Sequence, residues 1–168
     1  MKTVACPGCG LIHPDLGLPR PPERNMTGEC AAQAAPAMAA FYTSDLMPVR
    51  QYVIDALACQ HPDRTTRRGV QTTALCLMTM DLYFECAQPV SEGAAMHQEQ
   101  MRSHPDIFCA LDAPDLTAAL THRHVVAGPH DEYADRAEQW ARSVWAAWAP
   151  HHAQVRAWNE LTVPHRVR

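Results

Sequence analysis

The sequence predicts an all-α protein: a bundle-like domain of four to five helices with an irregular N-terminal arm that carries a CxxC pair. Three observations predict it. Apolar residues recur with helical period in residues 49–57 and 131–161, and residues 69–86 are apolar nearly all round. Strand-like alternation is weak throughout. Residues 1–29 are crowded with Pro7, Gly8, Gly10, Pro14, Gly17, Pro19, Pro21, Pro22 and Gly28, which excludes a regular helix there. The organisation that follows is an arm over 1–29, a helical domain over 30–161 and a frayed tail over 162–168.

Each element has a local reason. An ordered arm of this length needs either a metal clip or docking onto a helical body. Thr27 is placed to cap an Ala-rich helix over residues 30–42, with Pro36 limiting its regularity. Pro48 occupies a first helical position. Val49, Tyr52, Val53, Ala56 and Leu57 then trace one face of a helix that ends near Gln60-His61, because Pro62 disfavours helical geometry before it. After a polar turn over 63–68, residues 69–86 form a central helix interrupted by Gln71, Thr72, Thr73 and Asp81, polar groups that need partners in an interior. Ser91 caps a looser helix to about 103, Pro105 and Pro114 punctuate, and residues 115–124 form a short helix. Gly128-Pro129 breaks the chain. The last helical pattern, 131–161, is divided or kinked at Pro150 and carries the stripe Trp140, Val144, Trp145 and Trp148, continued by Val155 and Trp158.

Composition narrows the function classes. The 168 residues are 47 % hydrophobic, enough for a core without disulfide staples. A net charge of −4 and pI ≈ 6.2 speak against a nucleic-acid backbone as partner. No apolar run approaches the ~20 residues needed to span a bilayer, so a membrane partner is not expected. No basic region followed by an apolar stretch marks a signal peptide. The expected location is the cytoplasm and the expected partner a small-molecule ligand. Seven cysteines and ten histidines stand out. Seven is odd, and cytoplasmic thiols stay reduced, which directs attention to metal rather than disulfides.

Cys6-Pro7-Gly8-Cys9-Gly10 is the strongest signal. Two thiolates two residues apart chelate one tetrahedral ion, and glycines permit the tight turn beneath them. This is half a zinc site, and the other donors must come from elsewhere. The preferred set is Cys6, Cys9, Cys30 and His61, closed to solvent, with His13, His151 and His152 as alternatives. CxxC also serves as a redox pair, although that motif normally accompanies a βαβ pattern missing here. His61 has an equally good structural role, satisfying carbonyls at a helix C-terminus.

Asp55 reads as a solvated helix residue unless the rear of its helix meets another, in which case it becomes a catalytic base or a metal ligand. In Trp148-Ala149-Pro150-His151-His152, one histidine can face the core. His152 beside tryptophans is the expected acid/base, against the plainer reading of a helix start after a kink. Arg156 pairs with Asp55 or Asp81, or binds an anionic substrate, and Gln71 is the other expected substrate contact. The Trp stripe reads as core. Cys59, Cys76, Cys86 and Cys109 also read as core, and His97, His104, His122, His124 and His130 receive no role.

Four places resemble an uncharacterised family of small bacterial proteins, a domain of unknown function. They are Cys6-Pro-Gly-Cys9-Gly-Leu11, Glu29-Cys30, Asp55-Ala-Leu-Ala-Cys-Gln60-His61-Pro62 with Gln71 downstream, and Trp140-Ala through Trp148 to His151-His152 and Val155-Arg156-Ala-Trp158. The resemblance covers nearly the whole chain. It departs at Cys76, where the family tends to carry histidine. It groups Cys6, Cys9, Cys30, His61, His151 and His152, supports the all-α reading, and implies no activity.

The leading expectation is a zinc-binding helical protein whose ion pins the arm. On that reading it is a small metal-containing enzyme of specialised or stress metabolism, with a pocket between helices near Asp55, His61, Gln71 and His151 or His152. A non-catalytic binding module with structural zinc and a thiol redox or metal-handling protein are the alternatives.

Overall fold

The computed structural model describes residues 2–43, 45–104 and 106–167. Pro105, an expected break, and Arg168 of the tail lie outside these residues. The body is helical, as the periodicity predicts, with seven α-helices among the described residues where four to five were expected: α1 (Gly28–Ala40), α2 (Arg50–Gln60), α3 (Arg67–Phe84), α4 (Gly93–Ser103), α5 (His122–Val126), α6 (Tyr133–Ala147) and α7 (His152–Thr162).

Local chemistry sets the helix starts. The Thr27 hydroxyl accepts from the Cys30 amide at 3.2 Å, and Thr66 accepts from Gly69 at 3.0 Å, each satisfying one of the free amides of a first turn. Pro48 sits in a single 3-10 turn, Met47–Val49, that feeds α2. Pro150 sits in another, Ala149–His151, which separates α6 from α7 as expected.

Helix α3 is the centre of the body. Every residue from 76 to 83 on it is buried, and it packs against α2, α4, α6 and α7. α2 lies against both α3 and α6, so its two faces are covered and Asp55 is fully buried. α6 presents Ala137, Trp140, Ala141, Val144 and Trp145 inward, the i, i+3, i+4 spacing of an amphipathic stripe. Trp140 and Trp148 are completely buried, and each indole N–H finds an acceptor: Trp140 donates to the Gln60 Oε1 at 3.0 Å and Trp148 to the Cys59 carbonyl at 3.1 Å. The Gln60 amide in turn donates to the Leu120 carbonyl at 2.8 Å. The Trp stripe is therefore core, fixed in register by polar tips.

Four details differ from the sequence reading. The arm contains a short antiparallel hairpin, β1 (Thr3–Ala5) with β2 (Ile12–Pro14), in the register Val4 opposite His13. Strands of three residues are too short to show alternation. The helix expected over 115–124 starts later, at His122, because the Asp115 side chain accepts from the Thr117 amide (2.9 Å) and hydroxyl (2.6 Å) and folds a turn instead. The tail, expected to fray, is held by Arg166, which pairs with Glu92 and Glu99 at 2.8 Å each. Of the cysteines read as core, Cys109 is exposed and Cys86 half-buried, while Cys59 and Cys76 are fully inside.

Candidate metal centre

The arm has little apolar substance of its own. Beside the sulfurs of Cys6, Cys9 and Cys30, its buried cluster holds Met26, with Leu11, Ala31 and Leu57 packed at the edge. One buried methionine does not order some 25 residues against their conformational entropy, about 1–2 kcal/mol for each backbone unit. What lies at the middle of the cluster is four metal-ligand atoms.

Three elements deliver them. The loop after β1 turns tightly, with the Gly10 amide donating to the Cys6 carbonyl at 2.9 Å and the Cys6 amide to the Leu11 carbonyl at 2.8 Å. Gly10 takes φ +74°, a conformation side chains disfavour. Gly8 is needed for closeness: a Cβ there would lie 2.6 Å from the Gln60 carbonyl oxygen and 2.6 Å from the His61 ring. This loop supplies Cys6 and Cys9. The first turn of α1 supplies Cys30, and the residue closing α2 supplies His61.

Cys6, Cys9, Cys30 and His61 are all buried, with their ligand atoms within 4.8 Å of one another. Cys9 and Cys30 Sγ are 3.6 Å apart, and Cys30 Sγ lies 3.7 Å from His61 Nε2. Sulfurs bound to one tetrahedral zinc at ~2.3 Å stand about 3.7 Å apart. All seven cysteines are free. The other His61 nitrogen, Nδ1, lies 2.9 Å from the Leu57 carbonyl. A carbonyl only accepts, so Nδ1 carries a proton, and Nε2 is the ring atom that faces the sulfurs and would bind an ion there.

The electrostatics of the cluster suit a cation. Hydrogen bonds from Cys30 and Cys9 hold the Cys6 thiol far below its ordinary range, and contact with Cys6 and Cys9 pushes Cys30 far above it. Sulfurs this close do not all ionise without a positive charge among them. Burial opposes protonation of His61, but the Cys6 and Cys9 sulfurs outweigh it and raise its pKa to about 9.

The remaining expected residues do not converge. Asp55 lies inside the bundle, accepting from Gln51 and Thr79 at 2.9 Å each. Burial raises its pKa, against the opposing effect of His97. Gln71 lines an open groove with Arg67, Val70, Asp106, Phe108 and Ala110. His152 stacks on Trp145, ring centroids 3.7 Å apart, with Nε2 3.0 Å from the Trp145 carbonyl. His151 Nε2 reaches the Asp112 carbonyl at 2.7 Å. Arg156 stands 3.6 Å from Asp81, whose carboxylate also accepts from Asn159 at 2.9 Å. Of the polar residues on the central helix, Thr73 and Asp81 are buried, while Gln71 and Thr72 are half-buried.

Three interior histidines stand outside the Cys6, Cys9, Cys30 and His61 cluster: His13, an alternative ligand by sequence, and His122 and His97, which had no role there. His13 on β2 and His122 at the start of α5 are buried, and their ring nitrogens make no well-formed hydrogen bond among the described residues. Burial lowers both, His122 to about 4, so His122 is neutral near pH 7. His97, on α4, reaches Asp55 at 3.6 Å. No spacing in the sequence marks it, because it arrives only when α4 packs on α3.

A family described as of unknown function matches residues 4–149 of the chain. The match takes in Cys6, Cys9, Cys30, Asp55 and His61 and ends before His151. No curated protein and no solved structure matches.

Proposed function

This chain belongs to DUF5946, a family of unknown function, and we propose that it is a zinc protein in which one ion, held by Cys6, Cys9, Cys30 and His61, fastens the N-terminal arm to the helical body. The carrying observation is the convergence of three thiols and an imidazole, all buried, from three separate elements with tetrahedral-edge spacing. Three sulfurs and a nitrogen are soft to borderline donors and favour zinc over hard oxygen-seeking cations. Four protein donors fill a tetrahedron and leave no position for substrate, so the ion acts structurally. Its binding free energy is folding free energy for the arm.

Two further observations support a structural centre. Cys6 and Cys9 are 2 % exposed, whereas a redox pair needs a reachable thiolate. Asp55 on α2, Gln71 on α3 and the α7 residues His152 and Arg156 each face different partners, so the chemistry expected of those four has no shared cavity among the described residues.

The test is metal content of protein purified without chelator, wild type beside Cys6→Ser and His152→Ala. The reading expects Cys6→Ser to lose one equivalent of zinc together with the ordered arm, and His152→Ala to match wild type. Equal zinc in wild type and Cys6→Ser refutes it.

A further inference from the structure

A second cluster of ligand atoms lies in the body, where α2, α3 and α4 meet. Asp55 comes from the middle of α2, Cys76 from α3 and His97 from α4, and one ligand atom of each lies within 4.8 Å of the others. We propose that these three residues form a second divalent-metal site, chemically distinct from the arm centre and open at one coordination position.

The first argument is charge. Asp55 is completely buried, and among the described residues its only ionic neighbour is His97, 3.6 Å away. The Gln51 amide donates to Oδ1 and the Thr79 hydroxyl to Oδ2. Two neutral donors orient a carboxylate but do not neutralise it, and a buried carboxylate is costly unless a cation, either a protonated His97 or a metal ion, stands beside it. A divalent ion taking the Asp55 carboxylate, the Cys76 thiolate and the neutral His97 imidazole makes the site electrically neutral. Binding releases the Cys76 proton to solvent.

The second argument is donor chemistry and geometry. One oxygen, one sulfur and one nitrogen suit an ion of intermediate softness such as zinc. Donors sharing an ion lie roughly 3–4 Å apart. The Asp55–His97 edge already has that length, and the Cys76 sulfur has to close by at most about 1 Å. Gln51 and Thr79 supply the outer contacts that hold a ligating carboxylate in one orientation.

The third argument is the vacant valence. Three protein donors leave a fourth position for water, the composition of a catalytic rather than a closed zinc site. The His97 side chain is 21 % exposed, so the cluster reaches solvent along α4. Beside Gln51 lies the hydroxyl of Tyr83, buried, close to Thr79 and Asp55, and without a well-formed hydrogen bond among the described residues. A metal-bound water is a partner of the kind it lacks.

This inference does not rest on zinc in the arm. The experiment is anaerobic titration of the metal-free full-length chain with cobalt(II), counting ions retained through desalting and recording the visible spectrum, with folding checked by circular dichroism. Wild type is expected to hold two ions. His97→Ala and Asp55→Asn are each expected to hold one and to keep the intense sulfur-to-cobalt band of the three-cysteine centre. Cys6→Ser is expected to lose that band and retain the weaker single-thiolate spectrum. His151→Ala serves as control and is expected to hold two. A His97→Ala protein that retains as many ions as wild type overturns the proposal, as does a wild type that saturates at one ion and shows only the three-thiolate band. In either case Asp55, Thr79 and His97 form a hydrogen-bonded network only.

Discussion

Helix α2 carries both clusters, six residues apart, and they are built on opposite terms. His61 closes the helix and meets sulfurs from the arm, where almost nothing apolar is available. Asp55 sits mid-helix and meets α3 and α4 inside a core already dense with leucine, methionine and tryptophan. In the arm, four ligand atoms fit to hold a metal ion stand where a core would be. In the body, a core exists and polar ligand atoms are set into it. Removing the ligands should therefore dissolve structure at one site and leave structure without its chemistry at the other.

The largest effect should come from stripping the arm centre. Cys6→Ser, or exhaustive chelation of wild type, should release the amides of residues 2–27 to hydrogen exchange while α3 and α6 stay protected. Exchange mass spectrometry reads this directly. Loss of protection throughout would show that the ion holds the bundle as well, and an arm that stays protected would show that packing suffices.

Asp55→Ala should come next, destabilising the body by about 2–4 kcal/mol in urea denaturation, because the Gln51 amide and Thr79 hydroxyl lose a buried acceptor. Asp55→Asn, which keeps an acceptor, should cost less. Equal costs would mean that charge, not hydrogen bonding, dominates there.

Gly8→Ala should cost about 1–3 kcal/mol through overpacking, since its Cβ would press on Gln60 and on the His61 ring. It should also speed zinc loss to a chromophoric chelator. An unchanged release rate would mean that the loop yields without moving His61.

The pH dependence should separate metal-free from metal-loaded protein. Without metal, the folded His61 titrates near 9, above its ordinary 6.5. That stabilising contribution is complete below about pH 6.5 and fades as pH rises through about 9. With metal, Nε2 is a neutral ligand and the loss disappears. The gap in melting temperature between the two forms should widen from pH 6.5 to 9, and a constant gap would remove His61 from the ligand set.

The smallest effect should be that of His152→Ala, below about 1 kcal/mol by thermal melt with unchanged zinc, since it removes one stacked ring and one half-exposed hydrogen bond.

Much of this was legible from residue order. Thr27 as a cap, Pro48 and Pro150 as helix punctuation, the inward stripe of α6 and the turn of the CxxC loop are local matters, decided by propensity, proline geometry and glycine freedom within a few residues. The two thiols of Cys6 and Cys9 announce a chelate because two residues of separation bring their sulfurs together without help from the rest of the chain. The same locality misled for residues 115–124, where one Asp side chain outcompeted a helix start, and for the hairpin, whose strands are too short to carry a pattern.

The pairings across the chain were decided by packing. Cys30 and His61 are 31 residues apart, and either His151 or His152 was as good a fourth donor by composition. The stacking of α7 on Trp145 and the approach of α2 to α1 chose His61. Asp55 had the credentials of a surface residue until α3 and α6 covered both sides of its helix. His97 and Cys76 carry no spacing that links them to Asp55. A helix constrains neighbours three and four residues away, whereas the contact between helices depends on which faces fill each other's grooves, a property of the whole core that no short stretch of sequence contains.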